Sequence, residues 1–348
     1  MFRRALTRPD GRRLFLYAAG EEPPGLPPSL PGAQASRPST HLRWHPLRGE
    51  WVAYAVHRRD RGSAAAPGVE GGEVPGGRWE VAVFEDPSPA LSDDALPPPQ
   101  LPVPTRTGKG SCEVVLFDPD REVPLGKLPL RRLELLFEVW ADRTRELGSR
   151  GDVQYVFPFE DRGVEAFAAS PRPHGRIHAY PFVPPVAARE LLQQKEHLDR
   201  AGRGLLSALL EDELREERRV LWAGQGAMAL VPVCARYAYE IWIAPLRPAQ
   251  RLYDLTAEER RDLARALKLS LLELDGVGQR PMPYVLAVHQ APTDGLDHPE
   301  AHLHFEILPC PRTSGCLAGG EIGAGAFTSD ALPEEKAAEL RAVPVPPV

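Results

Sequence analysis

Short runs of alternating or continuous apolar residues recur along this chain, and stretches rich in proline and glycine separate them. Successive side chains of a strand point to opposite faces, so runs of this pattern are typical of strands with a buried face. The clearest runs are Trp79–Phe84, Cys112–Phe117, Val153–Phe159, Ile177–Phe182, Ala227–Val233, Tyr239–Ala244, Tyr284–His289 and His302–Leu308. The pattern therefore predicts that β-sheet is the scaffold of the fold.

Three helices are predicted between these strands, because apolar residues also recur every three to four positions. They span residues 130–147, 186–214 and 256–276. The second is expected to be interrupted near Gly202 and Gly204, since glycine weakens the interior of a helix. The third begins with a capping box formed by Thr256 and Glu259. The order of strands and helices predicts an α+β fold of two related halves.

The charge and the cysteine content exclude several functions. A net charge of −6 and a pI near 6.0 give no broad basic surface, so we expect no nucleic-acid partner. The four cysteines form no CxxC pair and are expected to be reduced thiols in a cytoplasmic protein. The sequence has no signal-peptide pattern and no apolar stretch long enough to span a bilayer, so we expect no membrane partner.

Pro173, His174 and Gly175 form the most distinctive local motif. Proline fixes the backbone before His174, and glycine after it would let a phosphate approach the main chain closely. An imidazole held in this way suits in-line attack on phosphorus, so His174 is a candidate nucleophile. Taken alone, a histidine is more often packed or exposed without a catalytic role. His178 lies four residues further along the same strand face, and we expect it to have a packing role.

Two arginines spaced three apart, Arg58 and Arg61, follow the strand-like run Trp51–Val56. Guanidinium groups can bind phosphate oxygens through two parallel hydrogen bonds, so the pair would suit a pyrophosphate. A run of charge of this kind is more often a solvated face. The spacing alone does not decide between the two interpretations.

Two histidines spaced two apart, His302 and His304, are expected to point to one face of a predicted strand. His289 lies on another predicted strand, and Glu190 lies on the helix that follows His174. Three imidazole nitrogens and one carboxylate would suit Zn²⁺ or Fe²⁺. A bare pair of histidines is more often part of a core or a surface, so both interpretations stay open at this point.

The segment around His174, from Tyr155 to Pro185, resembles the active-site segment of the galactose-1-phosphate uridylyltransferase family, a branch of the histidine-triad superfamily. The similarity extends from about Arg43 to about Glu321. Its other parts are Arg43–Trp51, Gly110–Val115, Pro281–Tyr284 and His289–Pro292. A chance match to one short motif would not cover so much of the chain.

The resemblance implies a fold of two histidine-triad-like half-barrels, with mainly antiparallel sheet and flanking helices. Residues 41–185 would form the N-terminal half with the nucleophile, and residues 186–330 the C-terminal half with the metal site. Residues 1–40 would be a partly flexible N-terminal extension, and residues 331–348 a C-terminal tail.

The resemblance also implies a nucleotidyltransferase of galactose metabolism. Such an enzyme moves a nucleoside monophosphate, in the first place UMP, between a nucleotide sugar and a sugar 1-phosphate, through a covalent nucleotidyl-histidine. The implied catalytic residues are His174 and Arg176. The implied substrate-binding residues are Arg58, Arg61, Asp86, Asp161, Arg172 and Glu321. One structural Zn²⁺ or Fe²⁺ would be held by Glu190, His289, His302 and His304, and the family suggests a homodimer.

The sequence departs from the family pattern at the nucleophile. Typical members have histidine and glutamine where this chain has Arg172 and Arg176. The histidine at the position of Arg172, a second one at the position of Arg121 and a CxxC pair would be the ligands of a first zinc site. The region 71–84 has no cysteine, so all four ligands are missing together. The first zinc site is therefore predicted to be absent.

Asp86 and Asp161 stand where the family usually has asparagine. At the position of Arg176, a guanidinium would bind a phosphoryl anion more tightly than a glutamine side chain would. It would do so in both the intermediate and the transition state, and binding that is tighter in both does not speed turnover. We therefore expect altered substrate specificity. Two alternatives stay open. One is a nucleotide-sugar phosphorylase or hydrolase that uses the same histidine, and the other is a catalytically silent nucleotide-binding paralogue.

Overall fold

The computed structural model of the protein describes residues 1–23, 25, 39–59, 73–75, 77–163, 166, 172–310 and 319–348. The strands in these ranges are β1 (Phe2–Thr7), β2 (Arg13–Ala18), β3 (His41–His45), β4 (Glu50–Tyr54), β5 (Val81–Glu85), β6 (Thr105–Thr107), β7 (Ser111–Leu116), β8 (Tyr155–Arg162), β9 (Gly175–Tyr180), β10 (Val220–Ala223), β11 (Ala227–Leu230), β12 (Ile241–Pro245), β13 (Tyr284–His289) and β14 (His304–Pro309). The α-helices are α1 (Leu130–Gly148), α2 (Pro185–Ala201), α3 (Leu205–Glu216), α4 (Ala257–Val277) and α5 (Pro333–Arg341). Short helical turns cover Val56–Arg58, Leu125–Lys127, Leu252–Asp254 and Gly320–Ala324.

Eleven of these strands form one sheet in the order β1-β2-β5-β7-β9-β8-β13-β14-β12-β11-β10, and β4, β3 and β6 form a smaller second sheet. All the neighbouring pairs are antiparallel. β8 pairs with β13 from Phe159 to Arg162, and this pairing joins the strands that precede α2 to those that follow it. The structure confirms the prediction of a mainly antiparallel α+β fold, whereas the predicted domain boundaries stay predictions.

α1 and α4 cover one face of the large sheet. α1 buries its predicted apolar stripe, and the rings of Phe137 and Trp140 lie 5.3 and 6.4 Å from the ring of Phe305 on β14. α4 starts at the predicted capping box, in which the main-chain N–H groups of Glu259 and Thr256 each donate to the other's side chain. Each large apolar side chain buried here contributes roughly 1.5–3 kcal/mol, so this face holds the main core.

The second predicted helix is divided into two, as the glycines in its sequence indicated. α2 ends at Ala201, and α3 begins at Leu205. Between them Gly202 has a φ of +69°. Residues with a side chain rarely adopt that conformation, so glycine is the residue suited to end α2.

β1, β2, α5 and the short strands β3, β6 and β10 were not predicted from the sequence. β2 is buried and pairs with β5, while β1 lies mostly exposed at the edge of the sheet. Arginines interrupt the apolar pattern of this hairpin, and the guanidinium of Arg3 covers the ring of Phe15 at 4.7 Å. α5 buries Ala337 and Leu340 but has only nine residues. Its apolar pattern is too short to predict a helix that depends on packing for its stability.

The face of the large sheet opposite α1 and α4 carries polar and aromatic side chains near its middle. On β9, Ile177 and Ala179 belong to the core, which leaves Arg176, His178 and Tyr180 on the other face. α2 approaches the same face, where its Glu190 contacts His289 of β13. The residues of both predicted sites therefore share this face of the sheet.

Glu160 of β8 is a carboxylic acid buried on the helix side of the sheet. It accepts a hydrogen bond from the Tyr284 hydroxyl at 2.8 Å. Burial raises the pKa of Glu160 to about 7. The hydrogen bond from Tyr284 and the positive charge of Arg162 lower this pKa, whereas the negative charges of Asp161 and Asp275 raise it. Because the pKa is higher in the folded protein than in the unfolded chain, the folded protein loses stability as the pH rises from about 4.5 to about 7.

Glu160→Gln, which cannot ionise, is expected to raise the free energy of unfolding by about 1–3 kcal/mol at pH 8. At pH 5 the gain is expected to be much smaller, because Glu160 of the folded protein is protonated there. Urea unfolding followed by circular dichroism at both pH values measures the difference, and Glu196→Gln on the exposed side of α2 is the control. An equal gain at the two pH values would contradict this cause.

Candidate functional site

His174 lies immediately before β9, which pairs with β7 on one side and with β8 on the other. The side chain is buried, and its Nδ1 lies 2.8 Å from the carbonyl oxygen of Arg172. A carbonyl oxygen can only accept a hydrogen bond, so Nδ1 carries the proton and Nε2 keeps a lone pair. The imidazole is thereby held in the tautomer that a nucleophilic Nε2 requires.

The environment of His174 keeps the imidazole neutral. Burial lowers the pKa of His174 to about 4, even though the hydrogen bond to Arg172 and the charge of Asp86 oppose this. The positive charge of Arg176 lowers the pKa further. At neutral pH the Nε2 lone pair is therefore available to attack an electrophile.

The structure gives Gly175 a packing role that the sequence analysis did not predict. A Cβ atom at this position would lie 2.9 Å from Cε1 and from Cζ of Phe117, a buried core residue. The expected reason for glycine here was the approach of a phosphate to the main chain. That reason stays a prediction, and the structure adds a second one, because a side chain at residue 175 would displace the Phe117 ring.

Charged residues gather around His174. Arg176 follows on β9, and its positive charge lowers the pKa of both His174 and His178, after the larger effect of burial. Asp86, directly after β5, acts on both pKa values in the opposite direction. Arg58, from the helical turn after β4, also lowers the pKa of His178. The structure thus brings these predicted residues together from three separate segments of the chain.

Asp161 joins this group through Arg176. The guanidinium Nη1 of Arg176 lies 3.8 Å from Oδ2 of Asp161. Arg176 lies opposite Phe159 in the strand register, so Asp161 is two residues further along β8 on the same face. Burial raises the pKa of Asp161, and the nearby Arg176 lowers it.

The other three predicted substrate-binding residues are not placed in this group by the described contacts. Arg61 lies outside the described residues. Arg172 contributes its carbonyl oxygen, but its Nε lies 3.5 Å from Oε1 of Glu122. Glu321 lies close enough to Tyr237 to raise the pKa of that residue, after the larger effect of burial. Tyr237 precedes β12, which three strands separate from β9. The substrate-binding roles of all three stay predictions.

Arg121 and Arg172, which occupy the positions of two ligands of the first family zinc site, lie near each other. Burial lowers the pKa of Arg121, and the positive charge of Arg172 lowers it further. A guanidinium group has no lone pair that could bind a metal cation. The described residues at these two positions therefore do not suit a zinc ion.

A cavity of about 340 Å³ opens beside Asp86. It lies between the turn that connects β1 and β2, the segment 85–94 and the start of β7. Its lining includes Arg12, Asp93 and Cys112. The volume is at the lower end of the range for ligand pockets, so the cavity can hold a small organic ligand next to the charged group.

His178 makes the packing contacts that the sequence analysis predicted for it. Its ring meets the ring of Phe159 edge to face, with 4.9 Å between centroids. Its Nδ1 lies 3.1 Å from the hydroxyl of Tyr180. These contacts hold the aromatic side chains of β8 and β9 together on the site face of the sheet.

Three of the four predicted metal ligands form a compact cluster. Nδ1 of His289 and Nε2 of His304 lie 3.1 and 3.8 Å from Oε2 of Glu190. The two imidazole rings are stacked with 5.0 Å between centroids. One donor atom from each residue lies within 4.8 Å of the others. Since metal–ligand distances are about 2.0–2.2 Å, a small inward shift would place all three around one divalent ion.

His302 lies beside this cluster but faces other partners. Its Nε2 is 2.9 Å from the Pro245 carbonyl oxygen, and its Nδ1 is 3.4 Å from Oγ of Ser207. β14 begins at His304, and His302 nevertheless lines one small cavity together with Glu190, His289 and His304. Its role as a fourth ligand requires the ring to turn and stays a prediction.

Glu306 is a member of the cluster that the sequence analysis missed. It lies two residues beyond His304 on β14, and its Oε2 is 3.5 Å from Nε2 of His289. Burial alone would lower the pKa of His289, but Glu190 and Glu306 together raise it to about 10. Both ring nitrogens of His289 are buried and face carboxylates, Nδ1 at 3.1 Å from Glu190 and Nε2 at 3.5 Å from Glu306. Two carboxylates around these nitrogens suit a cation. Alternation along β14 is the signal that would have identified Glu306.

Phe157 of β8 connects the two groups of residues. It pairs with His178 across the sheet, and its ring lies 5.9 Å from that of His289. The metal cluster therefore borders the surroundings of His174.

In the part of the chain that the structure describes, no helix combines the length and apolar character needed to cross a bilayer.

Two family models match this chain. Residues 83–184 match the N-terminal domain of galactose-1-phosphate uridyl transferase, and residues 190–344 match its C-terminal domain. The galactose-1-phosphate uridylyltransferase of Thermotoga maritima is 34% identical over 314 residues, which are 86% of this chain and 97% of that protein.

Solved structures have the same fold. A uridylyltransferase structure is 30% identical with a TM-score of 0.77, and the match covers 87% of this chain and 97% of that one. An ADP-glucose phosphorylase from Arabidopsis thaliana with bound ADP-glucose has a TM-score of 0.69 at 23% identity, over 88% of this chain and 100% of that one. The second similarity concerns the fold alone.

Proposed function

Because the chain belongs to the galactose-1-phosphate uridylyltransferase family, we propose that it moves a nucleoside monophosphate, in the first place UMP, between a nucleotide sugar and a sugar 1-phosphate. The observation that carries the proposal is the state of His174. Its imidazole is buried and neutral, and its Nδ1 donates to the carbonyl oxygen of Arg172. A neutral Nε2 with a lone pair is the form that attacks phosphorus.

The reaction consists of two displacements at the same phosphorus atom. In the first, a bond forms between Nε2 of His174 and the phosphorus of the nucleoside monophosphate, and the sugar 1-phosphate leaves with the electron pair of the broken P–O bond. The imidazole gains positive charge, which strengthens the hydrogen bond from Nδ1 to the Arg172 carbonyl. In the second, a phosphate oxygen of the acceptor attacks, and the electron pair of the N–P bond returns to Nε2.

The residues around His174 supply charge and space for the substrate. Arg58 and Arg176 provide positive charge for the phosphoryl oxygens, and Arg61 is the predicted partner of Arg58. The cavity beside Asp86 takes the nucleoside. We further infer from the family a cytoplasmic homodimer.

The metal cluster has a structural role in this proposal. Glu190, His289 and His304 would hold one Zn²⁺ or Fe²⁺, with His302 as the predicted fourth ligand. Such an ion would tie α2 to β13 and β14 and so support the strand next to β8.

His304→Ala is expected to lose most of the bound metal and to lower the melting temperature by about 5 °C or more, because two carboxylates then face each other without a full ligand set. Elemental analysis of the purified protein and differential scanning fluorimetry measure the two effects. His197→Ala on α2 removes a histidine outside the cluster and serves as the control. Unchanged metal content in the His304 variant would contradict the assignment.

Covalent labelling tests the proposed intermediate. The protein is incubated with UDP-glucose that carries ³²P in the phosphate next to the nucleoside, without an acceptor. We expect about one label per active site, stable in base and labile in acid, as for a phosphorus–nitrogen bond on histidine. An absence of label with UDP-, ADP- and GDP-glucose alike would refute the covalent mechanism.

The fate of this label distinguishes the candidate functions. Galactose 1-phosphate converts the label into a nucleotide sugar if the protein is a transferase, whereas inorganic phosphate converts it into a nucleoside diphosphate if it is a phosphorylase. The phosphorylase is the second candidate because Arg176 stands where a neutral amide is usual, and a guanidinium can bind two oxygens of inorganic phosphate at once. Nucleotide binding without any label would favour the silent paralogue.

A further inference from the structure

Arg176 and Asp161 face each other beside His174, and neither is fully engaged. Their closest charged atoms are 3.8 Å apart, which is longer than a hydrogen bond. The side chains are only 17% and 20% exposed. Within the described ranges, this ion pair is the one direct polar contact of each side chain. Among the described residues, the guanidinium donors and the carboxylate are therefore held in the site with each other as their direct polar partner.

The positions of the two residues are fixed by the sheet. Arg176 points to the site face because Ile177 and Ala179 of β9 point to the core. The register of β8 against β9 puts Asp161 diagonally across from it on the same face. Two opposite charges at this separation cancel much of each other's field at a third group. The nucleophile thus lies beside a pair with zero net charge, and not beside a lone arginine.

We propose that Asp161 is a positioning residue that keeps Arg176 in a charge-neutral pair, and that this pairing allows the nucleotidyl group to leave His174. The inference rests on the proposed function, because it concerns the resolution of the covalent intermediate.

The physical reason lies in the difference between the intermediate and the transition state. A free guanidinium would fit the phosphoryl oxygens of the intermediate better than those of the transition state, in which the phosphorus has moved away from Nε2 towards the acceptor, so it would stabilise the intermediate and slow its reaction. With Asp161 present, each contact of Arg176 with the phosphoryl oxygens competes with its attraction to the carboxylate. The intermediate is then held less tightly, and the acceptor oxygen can form its P–O bond while the N–P bond to His174 breaks.

The pairing also predicts a different defect for the removal of each charge. Without Arg176, the carboxylate of Asp161 would face the phosphoryl oxygens of the substrate and repel them. Without Asp161, Arg176 would retain the intermediate. The two residues should therefore affect opposite half-reactions, and their simultaneous neutralisation should remove both defects.

A double-mutant cycle with rapid-quench kinetics tests this proposal. Asp161→Asn is expected to slow discharge of labelled enzyme by acceptor about tenfold or more, while the labelled fraction at steady state rises. Arg176→Gln is expected to slow label formation by a similar factor. In the double variant, label formation is expected to be about ten times faster than in Arg176→Gln, and discharge about ten times faster than in Asp161→Asn. Asp161→Glu, which keeps the charge, should discharge faster than Asp161→Asn.

The exposed ion pair between Arg203 and Glu211 provides the matched control cycle. Neutralising either or both of those residues should leave both half-reactions unchanged. If the wild type forms no label, the proposed function fails. If the wild type is labelled but the effects of the Arg176 and Asp161 variants simply add, or if both slow the same half-reaction, the pairing proposal fails while the function stands.

Discussion

Alanine in place of His174 is expected to lower the turnover number by at least about 10⁴-fold, because the covalent route ends when Nε2 is removed. Binding of the nucleotide sugar should change far less, since Arg58, Asp86 and Arg176 remain in place. Stability should be less affected than turnover, because the hydrogen bond that the side chain makes within the described residues is a local one, to the Arg172 carbonyl. Steady-state rates and equilibrium titration of the nucleotide sugar measure the two effects.

His45→Ala is the control for this substitution, because it removes a partly exposed histidine on β3 of the smaller sheet. It should retain full turnover. The His174 variant should also fail to take up label, which separates loss of the nucleophile from loss of the acceptor step. Turnover within tenfold of the wild type would show that the acceptor attacks the substrate directly.

Most of the sheet was predictable from local pattern. The predicted strand Tyr284–His289 coincides with β13, and the predicted strands around Cys112 and Ile177 match β7 and β9 to within two residues. Alternation of apolar and polar residues indicates that one face of a strand is buried. These strands lie in the middle of the sheet, where α1 and α4 cover that face. β1 was missed because an exposed edge strand needs less apolar surface, whereas β2 was missed although its residues 14–18 are a continuous apolar run.

The residues of the site were also predictable, but their contacts were not. His174, Arg176 and Asp161 were identified from a motif and a resemblance, each as a separate position. The ion pair between Arg176 and Asp161 depends on the register of β8 against β9, and a shift of one residue would move Asp161 to the core face. Local sequence does not fix that register. It is set by the packing of the whole sheet on its helices.

The candidate metal cluster also shows that the sequence pattern identifies residues but not all of their contacts. A spacing of two predicted that His302 and His304 share a face, and both line one small cavity with Glu190 and His289, but Nε2 of His302 lies 2.9 Å from the Pro245 carbonyl oxygen. The same spacing applied from His304 onward would have identified Glu306. Alternation is valid only inside a strand, and strand ends are the least predictable feature of a sequence.

Loss of the buried ion pair between Glu113 and Arg143 is expected to have the largest effect on stability. Glu113 of β7 and Arg143 of α1 are both fully buried, with two hydrogen bonds of 2.9 and 2.7 Å between them. The guanidinium also lies 3.9 Å above the ring of Phe15 and 2.8 Å from Glu146. Removing the carboxylate alone leaves a buried cation without its bidentate partner.

Glu113→Leu is therefore expected to lower the free energy of unfolding by about 3–5 kcal/mol, measured by urea unfolding at pH 7.5. The double variant Glu113→Leu/Arg143→Met should be more stable than this single variant, because it leaves no unpaired charge in the core and fills a similar volume. Arg203→Met on the surface should change the stability by less than about 0.5 kcal/mol. If Glu113→Leu costs less than about 1 kcal/mol, or if the double variant is the weaker of the two, then the attachment of α1 to β7 depends on apolar packing and the ion pair contributes little.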